Sequence, residues 1–278
     1  MPELPEVETV RRGLEHALVG TRVRAVEVFR TDLRWPIPTE RVHALVGRRF
    51  AGAARRSKYL LLEFSGTPAL SALVHLGMSG RLFVATWDVR RPLPRLPHEH
   101  WRIRLGSRVL RYVDPRRFGA LDVVDTGDVA QHRLLRDLGP EPLGSSFDGA
   151  FLHGATRKRS APIKTFLMDA RNVVGVGNIY AAEALFRARV RPTRPAGRLG
   201  RAACDALATA VRSTLGDAVA AGGTTIRDYI GVDRRSGRFQ QQLAVYGRAG
   251  EPCPECQALI RRLVLGGRST FFCPRCQR

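Results

Sequence analysis

Lysine is almost missing from this chain of 278 residues, although 46 of its residues are basic. Only Lys58, Lys158 and Lys164 are lysines, and every other basic residue is arginine. An ammonium is compact and able to lose its proton, whereas a guanidinium does neither. Each lysine is therefore a candidate for chemistry that arginine cannot perform. Long apolar stretches are missing too. No run of 18 apolar residues occurs, which excludes a transmembrane helix of ordinary length. Glu3, Glu6, Glu8, Arg11, Arg12 and Glu15 crowd the start of the chain and leave no room for the apolar centre of a signal peptide. A cytoplasmic protein is expected. Acidic residues number only 25, so the formal charge is +21. Such a surplus favours a polyanionic partner, nucleic acid before any other. No basic amphipathic helix is present to insert into a membrane surface. Hydrophobic content of 44% marks an ordered globular protein.

Cysteine is scarce and unevenly placed. Of the five, Cys253, Cys256, Cys273 and Cys276 lie in the last 26 residues with the spacing C-x2-C-x16-C-x2-C. Without a secretory signal, this spacing reads as a zinc site and not as disulfides. Each C-x2-C pair offers two thiolates, and two pairs complete a tetrahedron with no open position. One structural Zn2+ is expected. Cys204, in a helical stretch, reads as a small buried apolar residue.

The periodicity predicts a helix over 5–18, with Val7, Val10, Leu14 and Leu18 on one face and Glu6 and Glu8 near its positive end. Short β-type runs follow at Val23–Phe29, Tyr59–Phe64, Leu70–Leu76, Arg81–Ala85, Trp101–Leu105, Val109–Val113 and Leu121–Val124, separated by turn residues. They predict a sandwich or barrel. Arg90–Pro97 is too rich in proline to be a strand. Gly139, Pro140, Pro142 and Gly144 mark a stiff stretch without regular structure, taken as a hinge over 138–146. Helices are expected at Pro162–Asp169, Asn178–Ala188 and Gly200–Ala221, and short strands from Gln242 onward. The expected organisation is an N-terminal domain over 1–137, the hinge, a helical domain over 147–241 and a cysteine ribbon over 242–278.

The opening MPELPEVET closely resembles the start of the formamidopyrimidine-DNA glycosylase/endonuclease VIII family, and of its bacterial formamidopyrimidine-DNA glycosylase branch in particular. The resemblance continues through RSKY (56–59), HLGMSG (75–80), DPRRFG (114–119), LGPEP (138–142), GVGNIY (175–180), GGTT (222–225) and the cysteine set. It implies an α+β protein: an N-terminal β-sandwich with an N-terminal helix, a helix–two-turn–helix domain and a zinc β-ribbon. It also implies damaged double-stranded DNA as partner, excision of oxidised purines (8-oxoguanine and formamidopyrimidines) and nicking of the strand by β,δ-elimination. A monomer associated with the nucleoid is expected. The endonuclease VIII type, acting on oxidised pyrimidines, is the nearest rival, and Leu4 with Leu138–Pro142 favours the first reading. A zinc-ribbon DNA binder without activity is the rival from another class, and Pro2, Glu3 and Lys58 argue against it.

Chemistry supports the implied roles. Removal of Met1 would expose the secondary amine of Pro2, and an α-amine titrates near ~8, leaving a nucleophilic fraction at neutral pH. By resemblance Pro2, Glu3 and Lys58 are catalytic, Glu3 and Arg268 are proton donors, and Glu6 caps the helix and positions Glu3. Lys58, His100, Arg117, Lys164, Asn178 and Arg268 are implied DNA contacts, Asn178 at a glycine-rich helix start suited to anions. Met78, Arg116 and Phe118 match a trio that fills the stack once a nucleotide is turned out. Read by themselves, Met78 and Phe118 are more often core residues, and Gly175 and Gly177 mark only a tight turn. Arg238 stands in the segment resembling the lesion-capping loop, Gly222–Phe239, where relatives commonly carry an aromatic.

Overall fold

The computed structural model describes residues 2–223 and 239–278; the segment 224–238, with Arg238, lies outside the described residues, as does Met1. The chain divides into two compact units: Met1–Arg136 together with a segment that begins at Gly222, and Asp137–Ala221 together with the C-terminal residues from 239 on. The first opens with helix α1 (Leu4–Leu18). It continues with β1 (Val23–Val28), α2 (Thr39–His43), β2 (Phe50–Arg56), β3 (Tyr59–Phe64), β4 (Leu70–His75), β5 (Arg81–Thr86), β6 (Glu99–Leu105), β7 (Arg108–Val113) and β8 (Ala120–Asp125).

The strands form two antiparallel four-stranded sheets, ordered β1-β6-β7-β5 and β2-β3-β4-β8. Alternation explains their faces. In β3, Leu60, Leu62 and Phe64 point inward while Tyr59, Leu61 and Glu63 are less buried. Side chains of both sheets meet in one core with Trp101, Tyr112, Phe50 and Phe64 among its largest members. Helix α1 packs against β2 and β5, an edge strand of each sheet. Its stripe of Val7, Val10, Leu14 and Leu18 is fully buried, and each such side chain stabilises the unit by about 1.5–3 kcal/mol. The sandwich expected from the turn-separated runs is therefore present.

The second unit carries α3 (Gly149–Thr156), α4 (Ile163–Met168), α5 (Asn178–Arg187) and α6 (Arg201–Ala220), then β9 (Arg261–Leu265) and β10 (Arg268–Phe272). Turns at 170–172 and bends at 173–175 join α4 to α5. The stretch 138–146 has neither helix nor strand, yet it is bonded to this unit. The Gly139 amide donates to Ala170 O at 2.9 Å and the Val174 amide to Pro140 O at 3.1 Å. Strands do not resume at Gln242 itself: 239–242 is a 3-10 turn, an isolated antiparallel bridge joins Pro252 to Leu259, and the β9–β10 ladder begins at Arg261. Among the described residues, no helix is long and apolar enough to cross a membrane.

Candidate active site and zinc ribbon

Register brings the chemistry-bearing segments of the first unit to one end of the sandwich. Arg56 pairs with Tyr59, Tyr59 with His75, and His75 with Ala120. In the other sheet Val113 pairs with both Arg81 and Glu99. The Ser57–Lys58 turn, the 76–80 connection and the 114–119 connection therefore all leave the strands at the same end. Helix α1 delivers the N-terminus there too. Arg11 Nη1 donates to Ala53 O at 3.0 Å, and Arg55 Nε to Glu8 Oε2 at 3.3 Å. Helix and strand thus run antiparallel, and the start of α1 lies toward the Ser57–Lys58 turn. Burial pushes the Glu8 carboxyl up, but hydrogen bonds from Arg11 and Arg12 outweigh it and hold the group below the usual carboxylate range. A charged Glu8 keeps α1 fastened to β2.

Pro2 and Glu3 are buried at this helix start. The Glu3 amide donates to Glu6 Oε2 at 2.8 Å, half of a capping box that fixes the turn on which Glu3 sits. Lys58 is half-buried on a turn whose Ser57 adopts φ +57°. Tyr59 and His75 stack obliquely, with ring centroids 4.9 Å apart. Burial, then the Arg34 and Lys58 charges, push the His75 imidazole down to about 4. It is neutral at physiological pH, and its Nδ1 accepts the Gly77 amide at 3.0 Å.

The two connections pack backbone to backbone. Gly77, at φ +64°, lies so close to Phe118 that a Cβ there would stand 2.4 Å from the Phe118 carbonyl carbon. A Cβ on Gly119 would overlap the Tyr112 hydroxyl at 1.6 Å. The close approach leaves Met78 and Phe118 projecting, 41% and 45% exposed. Arg116, also exposed, lays its guanidinium 4.8 Å from the centroid of the Phe118 ring. Arg117 is held at φ +59° and pairs with Asp32 at 3.1 Å. His100 departs from expectation. It is only 4% exposed, with Nε2 bonded to Asp114 O at 2.7 Å, at a point where the register of β6 against β7 shifts between Glu99 and Trp101. It is not a surface contact. The exposed histidine of this connection is His98, at φ +59°, which the sequence reading passed over.

In the second unit Lys164 also departs from expectation, being 1% exposed. Its Nζ donates to Asn178 Oδ1 at 2.5 Å, Thr270 Oγ1 at 2.7 Å and Ser269 O at 3.2 Å. All three ammonium protons are engaged, so the side chain ties α4, α5 and β10 together instead of facing solvent. Asn178, the first residue of α5, also donates through Nδ2 to Ser269 O at 3.0 Å. Arg268 is exposed at the tip of the β9–β10 hairpin, next to Gly266 and Gly267.

The four ribbon cysteines place their sulfurs within 4.8 Å of one another, with Cys253–Cys276 at 3.9 Å and Cys256–Cys273 at 3.4 Å. Zinc–sulfur bonds of about 2.3 Å in a tetrahedron require sulfurs about 3.8 Å apart, so the group fits a Zn2+ ion. The Ala258 backbone amide and the neighbouring thiols lower Cys256 to about 7, whereas burial pushes Cys276 up. The ion is structural, held by Cys253, Cys256, Cys273 and Cys276.

An antiparallel sandwich with an N-terminal helix, followed by a helical unit and a four-thiolate ribbon, makes this an α+β zinc-ribbon protein. Three family profiles match it: the formamidopyrimidine-DNA glycosylase N-terminal domain over residues 1–121, the formamidopyrimidine-DNA glycosylase H2TH domain over 138–229, and the zinc finger found in FPG and IleRS over 250–278. The formamidopyrimidine-DNA glycosylases of Stenotrophomonas maltophilia and Cellvibrio japonicus are 52% and 49% identical to it, each over the whole of both chains. Among solved structures, the MutM (Fpg) protein of Thermus thermophilus superposes with a TM-score of 0.88 at 41% identity, over 99% of this chain and 98% of that one. Lactococcus lactis Fpg bound to abasic-site DNA gives 0.91 at 34% identity, over 99% of both chains. The chain belongs to the formamidopyrimidine-DNA glycosylase family.

Proposed function

We propose that this chain excises oxidised purines, 8-oxoguanine and formamidopyrimidines, from duplex DNA as a bifunctional glycosylase and AP lyase. The observation that carries the reading is the gathering of Pro2, Glu3, the Lys58 turn and the Met78, Arg116 and Phe118 loops at one end of the sandwich. Relatives of the same fold were solved on abasic-site DNA and on DNA containing carbocyclic 8-oxo-G. With Met1 removed, the Pro2 nitrogen attacks C1′ of the damaged nucleotide. The C1′–base bond breaks, and the base leaves with that electron pair and a proton. The Pro2 nitrogen gives its own proton to the departing base; Glu3 then supplies a proton to the ring oxygen as the C1′–O4′ bond breaks, and the nitrogen lone pair forms the C1′=N iminium. That cation acidifies C2′; loss of a C2′ proton expels the 3′ phosphate, and a second elimination with Arg268 as proton donor expels the 5′ phosphate.

The Lys58 ammonium, Arg117, Asn178 at the positive end of α5 and Arg268 hold phosphates, and His98 replaces His100 in this set. Lys164 acts through Asn178. The chain works as a monomer beside the nucleoid, a setting that its net charge of +21 suits. The domain limits 1–137, 138–146, 147–241 and 242–278 remain our reading of how these parts divide, with 138–146 as the hinge.

Flipping the lesion leaves an orphan base, and Arg116 is the side chain suited to read it. Cytosine presents O2 and N3 as acceptors, which a guanidinium fork satisfies together. Adenine sets its N6 donor against the same fork. The preference should amount to about 1–3 kcal/mol, roughly 5- to 150-fold in excision. Single-turnover excision on a panel of oxidised-purine and oxidised-pyrimidine duplexes, each with cytosine or adenine opposite, tests both points. Faster excision of pyrimidine lesions would overturn the substrate class. Arg116→Ala should erase most of the cytosine preference, whereas Arg117→Ala should slow both duplexes alike; a full preference in Arg116→Ala would remove its assignment.

Charge makes a separate prediction. Each phosphate neutralised contributes a slope of roughly −0.9 to the plot of log affinity against log salt. Lys58→Ala and Arg268→Ala should each make the slope shallower by about one unit. Titrations between low and moderate salt check this, and an unchanged slope in both variants would mean that neither touches phosphate.

A further inference from the structure

The Asp114 carboxylate is fully buried, and the groups that bond it are all neutral. Its Oδ1 accepts Ser79 Oγ at 2.6 Å and the Arg116 amide at 3.2 Å. Its Oδ2 accepts the Gly119 amide at 2.9 Å and the Tyr112 hydroxyl at 3.1 Å. A buried charge is costly unless its lone pairs are satisfied, and here the satisfying groups come from two different connections and from Tyr112 on β7. Ser79 lies between β4 and β5; Arg116 and Gly119 lie between β7 and β8. The exposed side chains follow directly from these bonds. Met78 adjoins Ser79, Phe118 adjoins Gly119, and Arg116 is itself bonded through its amide.

We propose that Asp114 is a positioning residue for opposite-base discrimination: its carboxylate locks the 76–80 and 114–119 connections together and so sets Arg116 against Phe118 and Met78. The proposal rests on the reading of Arg116 as the side chain that meets the orphan base. Only a carboxylate serves the purpose. Ionised, it accepts on every side, whereas an amide replaces one oxygen with an NH2 donor that would face donors already in place. Tyr112 cannot compensate by ionising, because burial, then the Asp114 charge, push its phenol well above its ordinary value. Precise placement of a recognition group depends on such supporting bonds.

The experiment is single-turnover excision of 8-oxoguanine opposite cytosine and opposite adenine, with wild type, Asp114→Asn, Ser79→Ala and Arg116→Ala. The ratio of the two rates in one preparation is independent of the folded fraction, so a loss of fold alone does not move it. Asp114→Asn should lower the ratio about tenfold, within the range that one bidentate base contact supplies. Ser79→Ala removes a single bond to the carboxylate and should lower it in the same direction by less. A wild-type ratio in Asp114→Asn overturns the proposal; if that variant yields no folded protein, a wild-type ratio in Ser79→Ala does so. Arg116→Ala separates the proposal from the reading beneath it. A ratio lost in Asp114→Asn but kept in Arg116→Ala overturns the assignment of Arg116 and not the role of the carboxylate. The opposite pattern overturns the carboxylate's role alone.

Discussion

Protein from which Met1 has been removed should form a borohydride-stable link to 8-oxoguanine DNA through Pro2, and protein that keeps Met1 should form almost none. Retention of Met1 turns the Pro2 nitrogen into a tertiary amide with no lone pair to donate, so the nucleophile is abolished outright. Loss of a sole nucleophile costs about a thousandfold or more in rate. Pro2→Gly is a milder change: it leaves a primary amine but removes the ring that holds the nitrogen at the start of α1, where Glu3 and Glu6 fix the first turn. It should trap more slowly than wild type and faster than the Met1-bearing form. Mass spectrometry of the trapped complex locates the link. Equal trapping by mature and Met1-bearing protein, or a link elsewhere in the chain, would exclude this mechanism.

Much of this arrangement is legible in the residues, and the exceptions have physical causes. α1 and most of the strands announce themselves by apolar periodicity, as Leu60, Leu62 and Phe64 do in β3. β2 does not: its FAGAARR sequence has little β propensity, and it forms because small residues let α1 lie close against an edge strand. The short helices α2 and α3 bury few residues and leave little periodic signal. The zinc cysteines were fully readable, since metal chemistry fixes their spacing. The loop residues were readable only as motif members. Nothing in their sequence tells that Met78 and Phe118 project while His100 turns inward, for that depends on the backbone contact of Gly77 with Phe118 and the register shift of β6 against β7. Lys164 shows the same limit. A rare lysine marked the position, but three bonds to Asn178, Ser269 and Thr270 decide that it is interior.

Removal of zinc should have the widest effect on DNA binding, because the metal is the largest single contribution to holding the ribbon. β9 and β10 form an isolated two-stranded hairpin, a structure of marginal stability by itself. Its apolar support is a small cluster in which Ile260 and Phe271 meet Val245 and, from α5, Ala182 and Phe186. A structural zinc site supplies on the order of 10–16 kcal/mol, far more than a cluster of that size. Cys253→Ser should therefore release the metal and melt the hairpin. Arg268 would lose its place at the hairpin tip, and Lys164 would lose Ser269 and Thr270, two of the groups that orient it toward Asn178. If both hold phosphate as proposed, loss of the two at once should weaken DNA binding by roughly a hundredfold, about 2.7 kcal/mol. The first unit should stay folded, since among the described residues its core cluster runs from Val7 to Val123 and includes none from the ribbon. Metal analysis of protein purified without chelators should find one zinc per chain, and circular dichroism of the variant should retain the β-sandwich signal. Metal-free protein that binds DNA as tightly as the zinc form would remove the ribbon from the DNA-binding surface.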